Sequence, residues 1–396
     1  MAGGKIGPVV VAGGGIGGLA TALALAHRGY ASIVLEQAAE FGEIGAGIQL
    51  GPNVHRVFDR LGVRREMEDI AFYPDNLVMN DGVTGEEVMR LPVGEAFRSH
   101  FGGPYGVIHR ADLHNVLLAA CRASDLIELR AGVKVTGFDE RDGGVTVTTA
   151  GTGGEVRGSA LVGADGLWSK VRERIVGDGP PRVSGHIAYR AVLKIGDVPD
   201  ILAPWMNEVV LWAGPRNHLV HYKLRRGELF NIVAVFHSDR YVEGWDSHGD
   251  PAELHKRFAG TRPEVQALLD KIETWRMWVL CDREPVRIWN RGRAVLLGDA
   301  AHPMLQYLAA GAGMAMEDAV CLADCLERNR GDVATAFADY PAARYLRTAR
   351  VQLTARYYGD IYHAAGVTRE IRNLLIGGRD PQKAYAGLEW IYKGWP

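Results

Sequence analysis

The chain has 396 residues, which is too long for one small domain and long enough for two domains with substantial cores. Its 45 basic and 47 acidic residues give a formal net charge of -2, which provides no basic field for nucleic acid or an anionic membrane, so we expect a small-molecule partner. Glycine, at 50 residues, is about twice as frequent as the roughly 7% of average proteins, which suggests tight turns and close backbone approaches of the kind that nucleotide cofactors need.

The four cysteines form neither a Cys-x-x-Cys pair nor the dense set of a secreted disulfide scaffold. They are Cys121, Cys281, Cys321 and Cys325. This pattern is typical of a reduced, cytoplasmic chain. Cys321 and Cys325 are spaced for one face of a helix, so a redox pair is one interpretation and two ordinary buried thiols are the other.

The N-terminal stretch from Val9 to Ala26, VVVAGGGIGGLATALALA, is uncharged and superficially similar to a signal peptide or a short membrane span. Its central glycines would weaken a membrane helix but suit a sharp turn from a strand into a helix. We therefore predict no transmembrane segment. We predict a strand at 7–12, a helix at 16–28 and a second strand at 32–36, which together form a βαβ unit.

This unit carries a dinucleotide-binding pattern, with Gly13, Gly15 and Gly18 in the turn and Glu36 about twenty residues on, at the end of the second strand. Gly13 permits the tight turn, Gly15 lets a pyrophosphate approach the backbone, and Gly18 allows close packing of helix and strand. The N-terminus of the helix favours the phosphate charge. Glu36 would accept hydrogen bonds from a ribose 2'-hydroxyl.

The next elements continue an α/β pattern. A helix is predicted at 111–122, directly after Arg110, and strands at 128–135 and 145–149. The run SALVGADGLWSKVR at 159–172 reads as a buried strand that ends at Asp165-Gly166 and leads into a helix. We find no metal-ligand spacing and predict no metal site, since His109 and His114 are better interpreted as surface or packing groups.

From about 185 to 285 the sequence becomes rich in strands, with a hairpin that turns near Arg226-Gly227. After it, RGRAVLLGDA is again a short apolar strand, which ends in Gly298-Asp299, and helical sequence continues from about Val333. We therefore predict a Rossmann-like nucleotide-binding domain at 1–75, 100–184 and 285–330. A β-rich substrate-binding domain at 76–99 and 185–284 is inserted into it, and 331–396 form a C-terminal helical segment.

Three stretches together resemble the single-component flavin-dependent aromatic hydroxylases, the family that includes p-hydroxybenzoate and salicylate hydroxylases. They are VVVAGGGIGGLATALALAHRGYASIVLEQ, ALVGADGLWSKVR and RGRAVLLGDAAHPMLQYLAAGAGMAMEDA. The resemblance implies a p-hydroxybenzoate hydroxylase-like fold, bound FAD, and NAD(P)H and O2 as co-substrates. It also implies that no second nicotinamide-binding domain exists and that the protein is a homodimer.

The same resemblance assigns cofactor-binding roles by motif. Gly13, Gly15, Gly18 and Glu36 would hold the ADP part of FAD, and Asp165 and Gly166 would serve FAD and the nicotinamide donor. Gly298 and Asp299 would hold the ribityl chain, and Arg110 would contact the cofactor. The loop Gly311-Ala312-Gly313 departs from the family's Gly-Gln-Gly, so the flavin contact at Ala312 is less closely matched.

The apolar loop after Asp299 has a physical interpretation in that setting. A helix beginning near Gly313 would aim its N-terminal amides at flavin N1 and O2, where negative charge develops on reduction. The flavin C4a-hydroperoxide decays if water reaches it, so the loop should be dry. Gln306 and Tyr307 would then be isolated polar groups that face a substrate, unless they belong to ordinary packing or a surface turn.

A closer likeness, in GGPYGVIHRADLH, GPRNHLVHYKLRRGE and CDREPVRIWNRGR, is to the family members that use NADH and O2 to hydroxylate 3-hydroxybenzoate para to its hydroxyl, forming gentisate. Alternatives within the family are decarboxylating hydroxylation of salicylate and hydroxylation of 6-hydroxynicotinate. Alternatives of another kind are a flavin oxidase and a non-catalytic dinucleotide sensor. The likeness implies five pocket residues: His218, Tyr222, Gln306, Tyr105 and Tyr307.

Strand alternation supports the histidine independently, because His218 and Tyr222 share one face of their strand. A neutral imidazole can take the proton of a phenol as the ring becomes electron-rich, so we interpret His218 as the catalytic base, with a buried packing histidine as the alternative. Gln306 would fix the phenol. Tyr105, Tyr222 or Tyr307 would bind the carboxylate.

Overall fold

The computed structural model describes residues 6–42, 45–151, 154–238 and 247–394. Its strands are β1 (Val9–Ala12), β2 (Ser32–Leu35), β3 (Gly47–Leu50), β4 (Asn76–Asp81), β5 (Glu87–Pro92), β6 (Gly106–His109), β7 (Ile127–Arg130), β8 (Val135–Arg141), β9 (Gly144–Thr149), β10 (Glu155–Gly158), β11 (Ala160–Gly163), β12 (Arg182–Lys194), β13 (Glu208–Gly214), β14 (Asn217–Leu224), β15 (Leu229–His237), β16 (Ser247–His248), β17 (Arg276–Asp282), β18 (Asn290–Arg291) and β19 (Ala294–Leu296). Its helices are α1 (Ile16–Ala26), α2 (Pro52–Leu61), α3 (Arg64–Ile70), α4 (Glu95–Phe101), α5 (Arg110–Arg122), α6 (Lys170–Ile175), α7 (Pro251–Arg257), α8 (Pro263–Leu269), α9 (Gly311–Arg328), α10 (Val333–Tyr362), α11 (Gly366–Ile376) and α12 (Pro381–Tyr392).

The first sheet has six strands in the order β18-β19-β11-β1-β2-β7, and all its pairs are parallel except β18 with β19. Strands β1 and β11 are buried along their whole length, as expected of parallel strands that are covered on both faces. The stretch that resembles a membrane span is thus β1, a glycine turn and α1. This confirms the predicted βαβ unit and the α/β class.

The second sheet has eight strands in the order β16-β17-β12-β15-β14-β13-β4-β5, antiparallel except where β13 pairs with β4. One face packs on α7 and α8 through a core that includes Tyr189, Phe236 and Leu268. The other face packs on the loop around Leu305 and Tyr307 and on Ala355 of α10. The predicted hairpin at Arg226-Gly227 is confirmed between β14 and β15.

The strands of the second sheet come from 76–92 and 182–282, so the β-rich insertion is present. The division of the chain into the three predicted segments stays a prediction. One local prediction is wrong. The strand expected at 128–135 is the end of β7 and the start of β8, separated by a turn in which Gly132 has a φ of 72°. Helix α9 begins at Gly311, close to the predicted start near Gly313, where a Cβ would lie 2.8 Å from Val54 Cγ2.

The C-terminal helices are present as predicted, and α10 is the longest, with 30 residues. All four cysteines are free thiols, and Cys321 and Cys325 are buried in α9. Within the described ranges, no helix is both long and apolar enough to cross a membrane.

Helices α9 and α10 are joined by a buried ionic network. Arg344 Nη1 donates to Glu317 over 2.6 Å, and Arg344 Nε donates to Asp318 over 2.7 Å. All three side chains are fully buried. Asp318 also accepts from His302 Nε2 and from the amide of Gly298, so the network reaches the turn after β19.

Arg344→Met removes the only cation that bridges the two buried carboxylates in the described network, and Glu317 and Asp318 then repel each other. We expect the free energy of unfolding to fall by about 3–5 kcal/mol, measured by denaturant titration. Arg350→Met is the matched control on the same helix, where the exposed guanidinium stacks on Trp390. It should cost no more than about 1 kcal/mol, and equal losses in the two variants would contradict this role of Arg344.

Candidate active site

In the turn between β1 and α1, only glycine fits at two of the three predicted glycine positions. Gly13 has a φ of 107°, and a Cβ there would lie 2.3 Å from the carbonyl oxygen of Ala164. A Cβ on Gly18 would lie 1.9 Å from the carbonyl oxygen of Gly13. Gly15 caps α1 without a side-chain hydrogen bond, and the first turn of the helix carries no acidic residue. The N-terminal amides of α1 are therefore left for an external acceptor.

Glu36 follows β2 directly and is held rigidly beside this turn. Its carboxylate accepts a hydrogen bond of 2.8 Å from the amide of Gly14 and another of 2.8 Å from the amide of Ala38. Buried His114 supports the same turn, with Nε2 at 2.8 Å from the carbonyl oxygen of Gly14. A tight glycine cradle, an uncapped helix and a fixed carboxylate fit the ADP half of FAD.

Asp165 has a local structural function. Its carboxylate accepts from the Ser169 hydroxyl and from the amides of Lys170 and Val171, and so it caps the start of α6. Burial raises the pKa of this carboxyl. Gly166, with a φ of 76°, makes the turn that allows this cap. The cofactor contacts of Asp165 and Gly166 stay predictions.

The turn after β19 places Asp299 at the surface while its neighbours are buried. Gly298 has a φ of 60°, and a Cβ there would lie 3.0 Å from the Cβ of Ala315. Helix α9 follows with Ala312 in its first turn, with no side-chain cap and no acidic residue there. Its amides are thus available to a ligand, which fits the pyrimidine side of a flavin.

Strand register places the predicted substrate residues on one face of the second sheet. His218 pairs with Val235 of β15, which pairs in turn with Ala188 of β12. Because paired residues point to the same side, His218 and Tyr222 share this face with four side chains that the sequence did not single out. These are His186, Arg190, Asn231 and His237.

His218 is buried, with 3% of its surface exposed. Its Nδ1 lies 2.7 Å from Nε2 of His363, so its own Nε2 is left for a substrate. Burial lowers the pKa of His218 to about 3, with a smaller effect from His186. The imidazole is therefore neutral near pH 7 and has a lone pair that can accept a proton.

Tyr307 and Gln306 lie opposite this face, in a single helical turn at 306–308. The rings of Tyr307 and His218 are 5.6 Å apart between centroids. The Tyr307 hydroxyl is hydrogen-bonded to Nδ1 of His186, and its ring lies on Gly359, where a Cβ would approach to 2.8 Å. Burial raises the pKa of the Tyr307 phenol far above its usual value.

Tyr105 and Tyr222 lie at the other end of the same face. The Tyr105 hydroxyl donates to Oε1 of Gln49, a residue of β3. The backbone of β3 also passes close to Tyr222, since a Cβ on Gly47 would lie 2.5 Å from the Tyr222 hydroxyl. The structure therefore brings all five predicted pocket residues to one region. Their roles stay predictions.

Arg190 is one of the residues that sequence reasoning missed. Its guanidinium lies deep in the protein, on the same face of the second sheet as His218 and Tyr222. It donates to Oε1 of Gln306 and lies over the Trp278 ring at 5.3 Å. Burial lowers the pKa of Arg190 to about 10, and no carboxylate pairs with it among the described residues. The only signal in the sequence was an arginine in an apolar strand, on the face of His186.

Three histidines also meet here from distant positions in the chain. His186, His237 and His363 place their ring nitrogens within 4.8 Å of one another. Their spacing gave no metal signal in the sequence. His363 comes from the end of α10, so the predicted C-terminal helical segment also contributes to this site.

The fold and the site define an FAD-dependent monooxygenase of the aromatic hydroxylase type. Residues 7–336 match the model of a family described as "FAD binding domain", and the chain belongs to that family. It is 49% identical to a 3-hydroxybenzoate 6-hydroxylase of Polaromonas naphthalenivorans (strain CJ2), over 98% of this chain and 96% of the relative. It is 46% identical to a 3-hydroxybenzoate 6-hydroxylase of Klebsiella oxytoca, over 99% and 97%.

Among solved structures, the chain is similar to Klebsiella pneumoniae HpxO complexed with FAD and uric acid. The TM-score is 0.88 and the identity 27%, with 100% of this chain and 98% of that chain covered. The p-hydroxybenzoate hydroxylase-like fold and the FAD cofactor are confirmed. A non-catalytic sensor is excluded by the enzymatic relatives.

Proposed function

We propose that the protein hydroxylates 3-hydroxybenzoate para to its hydroxyl, forming gentisate, with NADH and O2 as co-substrates. Two relatives over 45% identical across nearly the whole chain carry the name of this activity. The observation that carries the proposal is the arrangement of the sheet face, where neutral His218 lies on the same side as Arg190, a buried cation that has no carboxylate partner among the described residues. A phenol with a carboxylate matches this pair of groups.

We propose that FAD lies with its ADP part on the β1–α1 turn and its ring beside the loop at 305–313. Gly13, Gly15, Gly18 and Glu36 would hold the ADP part, and Asp165, Gly166, Gly298, Asp299, Ala312 and Arg110 would serve the rest of the cofactor. When bound and reduced by NADH, FAD supplies the electrons that make one atom of O2 an electrophile towards the substrate ring.

The carboxylate of the substrate binds Arg190 in this proposal. A buried cation without a counter-ion is costly, and a bound carboxylate would remove that cost. The hydroxyls of Tyr105 and Tyr307 already have protein partners, Gln49 and His186. Arg190 is therefore a stronger anchor than either tyrosine. Tyr222, whose hydroxyl also bonds to Gln49, lies beside Arg190 at the carboxylate end.

The phenol of the substrate binds at the His218 end, with Gln306 and Tyr307 across the cavity. Nε2 of His218 accepts the phenolic proton as the ring attacks oxygen, because a phenolate donates electrons to its ring far better than a phenol does. Apolar neighbours such as Leu305 and Val235 exclude water from this reaction. The other oxygen atom leaves as water.

His218→Gln tests the base. We expect hydroxylation in a single turnover to slow by about 10²–10⁴-fold, while FAD stays bound and NADH reduces it at the wild-type rate in the presence of 3-hydroxybenzoate. Stopped-flow absorbance separates these steps, and released peroxide should replace gentisate.

The matched control is His221→Gln on the same strand, whose buried imidazole faces the opposite side and accepts from Trp212 over 3.1 Å. It should hydroxylate at the wild-type rate. Wild-type turnover by His218→Gln would rule out His218 as the base.

Arg190→Met tests the carboxylate anchor. Losing one charge-assisted contact should weaken 3-hydroxybenzoate binding by about 1.5–3 kcal/mol, roughly 10–100-fold, measured by titration of the flavin absorbance. Binding of the neutral analogue 3-hydroxybenzamide should change much less. If both ligands weaken equally, Arg190 acts on pocket shape and not on the carboxylate.

We propose that the protein is a homodimer that buries the outer faces of α10 and α11. Seven large apolar side chains of these two helices are exposed, from 49% at Ile371 to 80% at Leu374. Their spacing places them on one face of each helix, and exposed apolar residues grouped in this way are typical of an interaction surface. They are Leu346, Leu353, Tyr357, Val367, Ile371, Leu374 and Leu375.

Leu353→Glu combined with Leu374→Glu should convert the dimer into a monomer, because four charges would have to be buried in a symmetric interface. Light scattering after size exclusion gives the mass directly. Val83→Glu is the control on an exposed position in a different region. If the double variant stays dimeric, the interface lies elsewhere.

A further inference from the structure

Three histidines form a continuous chain, and the first of them is His218, the proposed base. His218 Nδ1 lies 2.7 Å from His363 Nε2, and His363 Nδ1 lies 3.1 Å from His237 Nε2. Each contact joins a nitrogen of one ring to a nitrogen of the next. His363 therefore uses both of its ring nitrogens, one towards the cavity and one away from it.

The chain also runs from a buried position to an accessible one. His218 and His363 are 3% and 6% exposed, and His237 is half-buried. Backbone contacts hold the rings in register, because the amide of Arg216 donates to the carbonyl of His363 and the amide of His237 donates to the carbonyl of Arg216. These contacts fix the spacing that a proton transfer needs.

We propose that His218, His363 and His237 form a proton relay that carries the phenolic proton from the cavity towards solvent, an inference that rests on the proposed function. The substrate oxygen loses its proton to Nε2 of His218. The proton on Nδ1 of His218 passes to Nε2 of His363, and the proton on Nδ1 of His363 passes to Nε2 of His237. Each inner ring gains one proton and loses one, so both end neutral and the charge rests on His237.

His237 is the member of the chain best placed to hold that charge. Burial holds the pKa of His218 at about 3 and that of His363 well below its ordinary value. Burial also lowers the pKa of His237, and Arg216 and Arg257 add to this effect while Asp360 opposes it, but His237 is more exposed than His218 and His363. His186, whose ring centroid is 4.2 Å from that of His237, also has a lowered pKa and remains neutral. Reverse transfer after oxygen insertion restores the starting tautomers.

The same cluster has the donor set of a transition-metal site, but its hydrogen bonds favour the relay. A metal bound by His186, His237 and His363 would take the lone pair that His363 or His237 uses to receive a proton, and it would break the contact between them. A metal site and a proton relay therefore exclude each other, and a measurement of bound metal distinguishes them directly.

The experiment compares His363→Gln and His237→Gln with wild type and His221→Gln, all loaded with FAD. In single turnovers with 3-hydroxybenzoate and O2, hydroxylation in both relay variants should slow by at least roughly tenfold. The decrease should stay below the about 10²-fold that we expect at minimum when the base, His218, is removed. Their substrate dissociation constants, from flavin absorbance, and their anaerobic rates of FAD reduction should match wild type. The solvent deuterium isotope effect on hydroxylation should increase.

Rescue separates a relay from a purely structural role. Free imidazole should restore hydroxylation to His237→Ala, whose missing ring is partly exposed, and should not accelerate His218→Gln. The relay is overturned if both relay variants hydroxylate at the wild-type rate, or if imidazole does not restore the lost activity. It is also overturned if the active wild-type protein retains stoichiometric zinc after dialysis. If wild type itself does not hydroxylate 3-hydroxybenzoate, the proposed function fails and not the relay alone.

Discussion

Asp318 is the group on which the geometry of the site depends most. Its carboxylate is fully buried and accepts from Arg344, from His302 and from the amide of Gly298. One residue of α9 thereby fixes α10, the His302-Pro303 segment and the turn after β19. The surrounding charges hold the pKa of Asp318 below its usual value despite burial, so it stays ionised as pH falls.

This constraint places two sides of the proposed substrate site. The turn after β19 and the start of α9 form the side to which we assign the flavin. Helix α10 continues from Arg344 past Gly359 to His363, so the same network positions the ring that contacts His218. The second sheet supplies the opposite side, where β12, β14 and β15 contribute side chains in register. The groups that we propose as carboxylate anchor, base and flavin site thus come from three parts of the chain held by a few buried polar contacts.

Much of this arrangement was predictable. The glycine turn and Glu36 were found because dinucleotide binding imposes local spacing on the sequence. His218 and Tyr222 were assigned from the family likeness, and strand alternation, which is local as well, supported that assignment. Gln306 and Tyr307 were noticed because polar groups are conspicuous in an apolar loop. Each of these signals lies within a short window.

What the sequence did not reveal depends on contacts between distant segments. Arg190 can be recognised as a candidate site residue only from the absence of a carboxylate beside it, and this is visible only in the folded structure. His186, His237 and His363 meet because β12, β15 and the end of α10 converge, and no spacing encodes this. The start of α9 was predicted near Gly313, but the reason for a glycine there, close packing against Val54, becomes visible only in the fold.

The most direct test of the account is to identify the product formed by the purified FAD-loaded protein from 3-hydroxybenzoate, NADH and O2. Salicylate and 6-hydroxynicotinate are assayed in parallel, with NADH, O2 and peroxide quantified. The account predicts gentisate from 3-hydroxybenzoate, in equal amount to the NADH consumed and with little peroxide. A different dihydroxybenzoate, peroxide alone, or efficient hydroxylation of only another acid would contradict it.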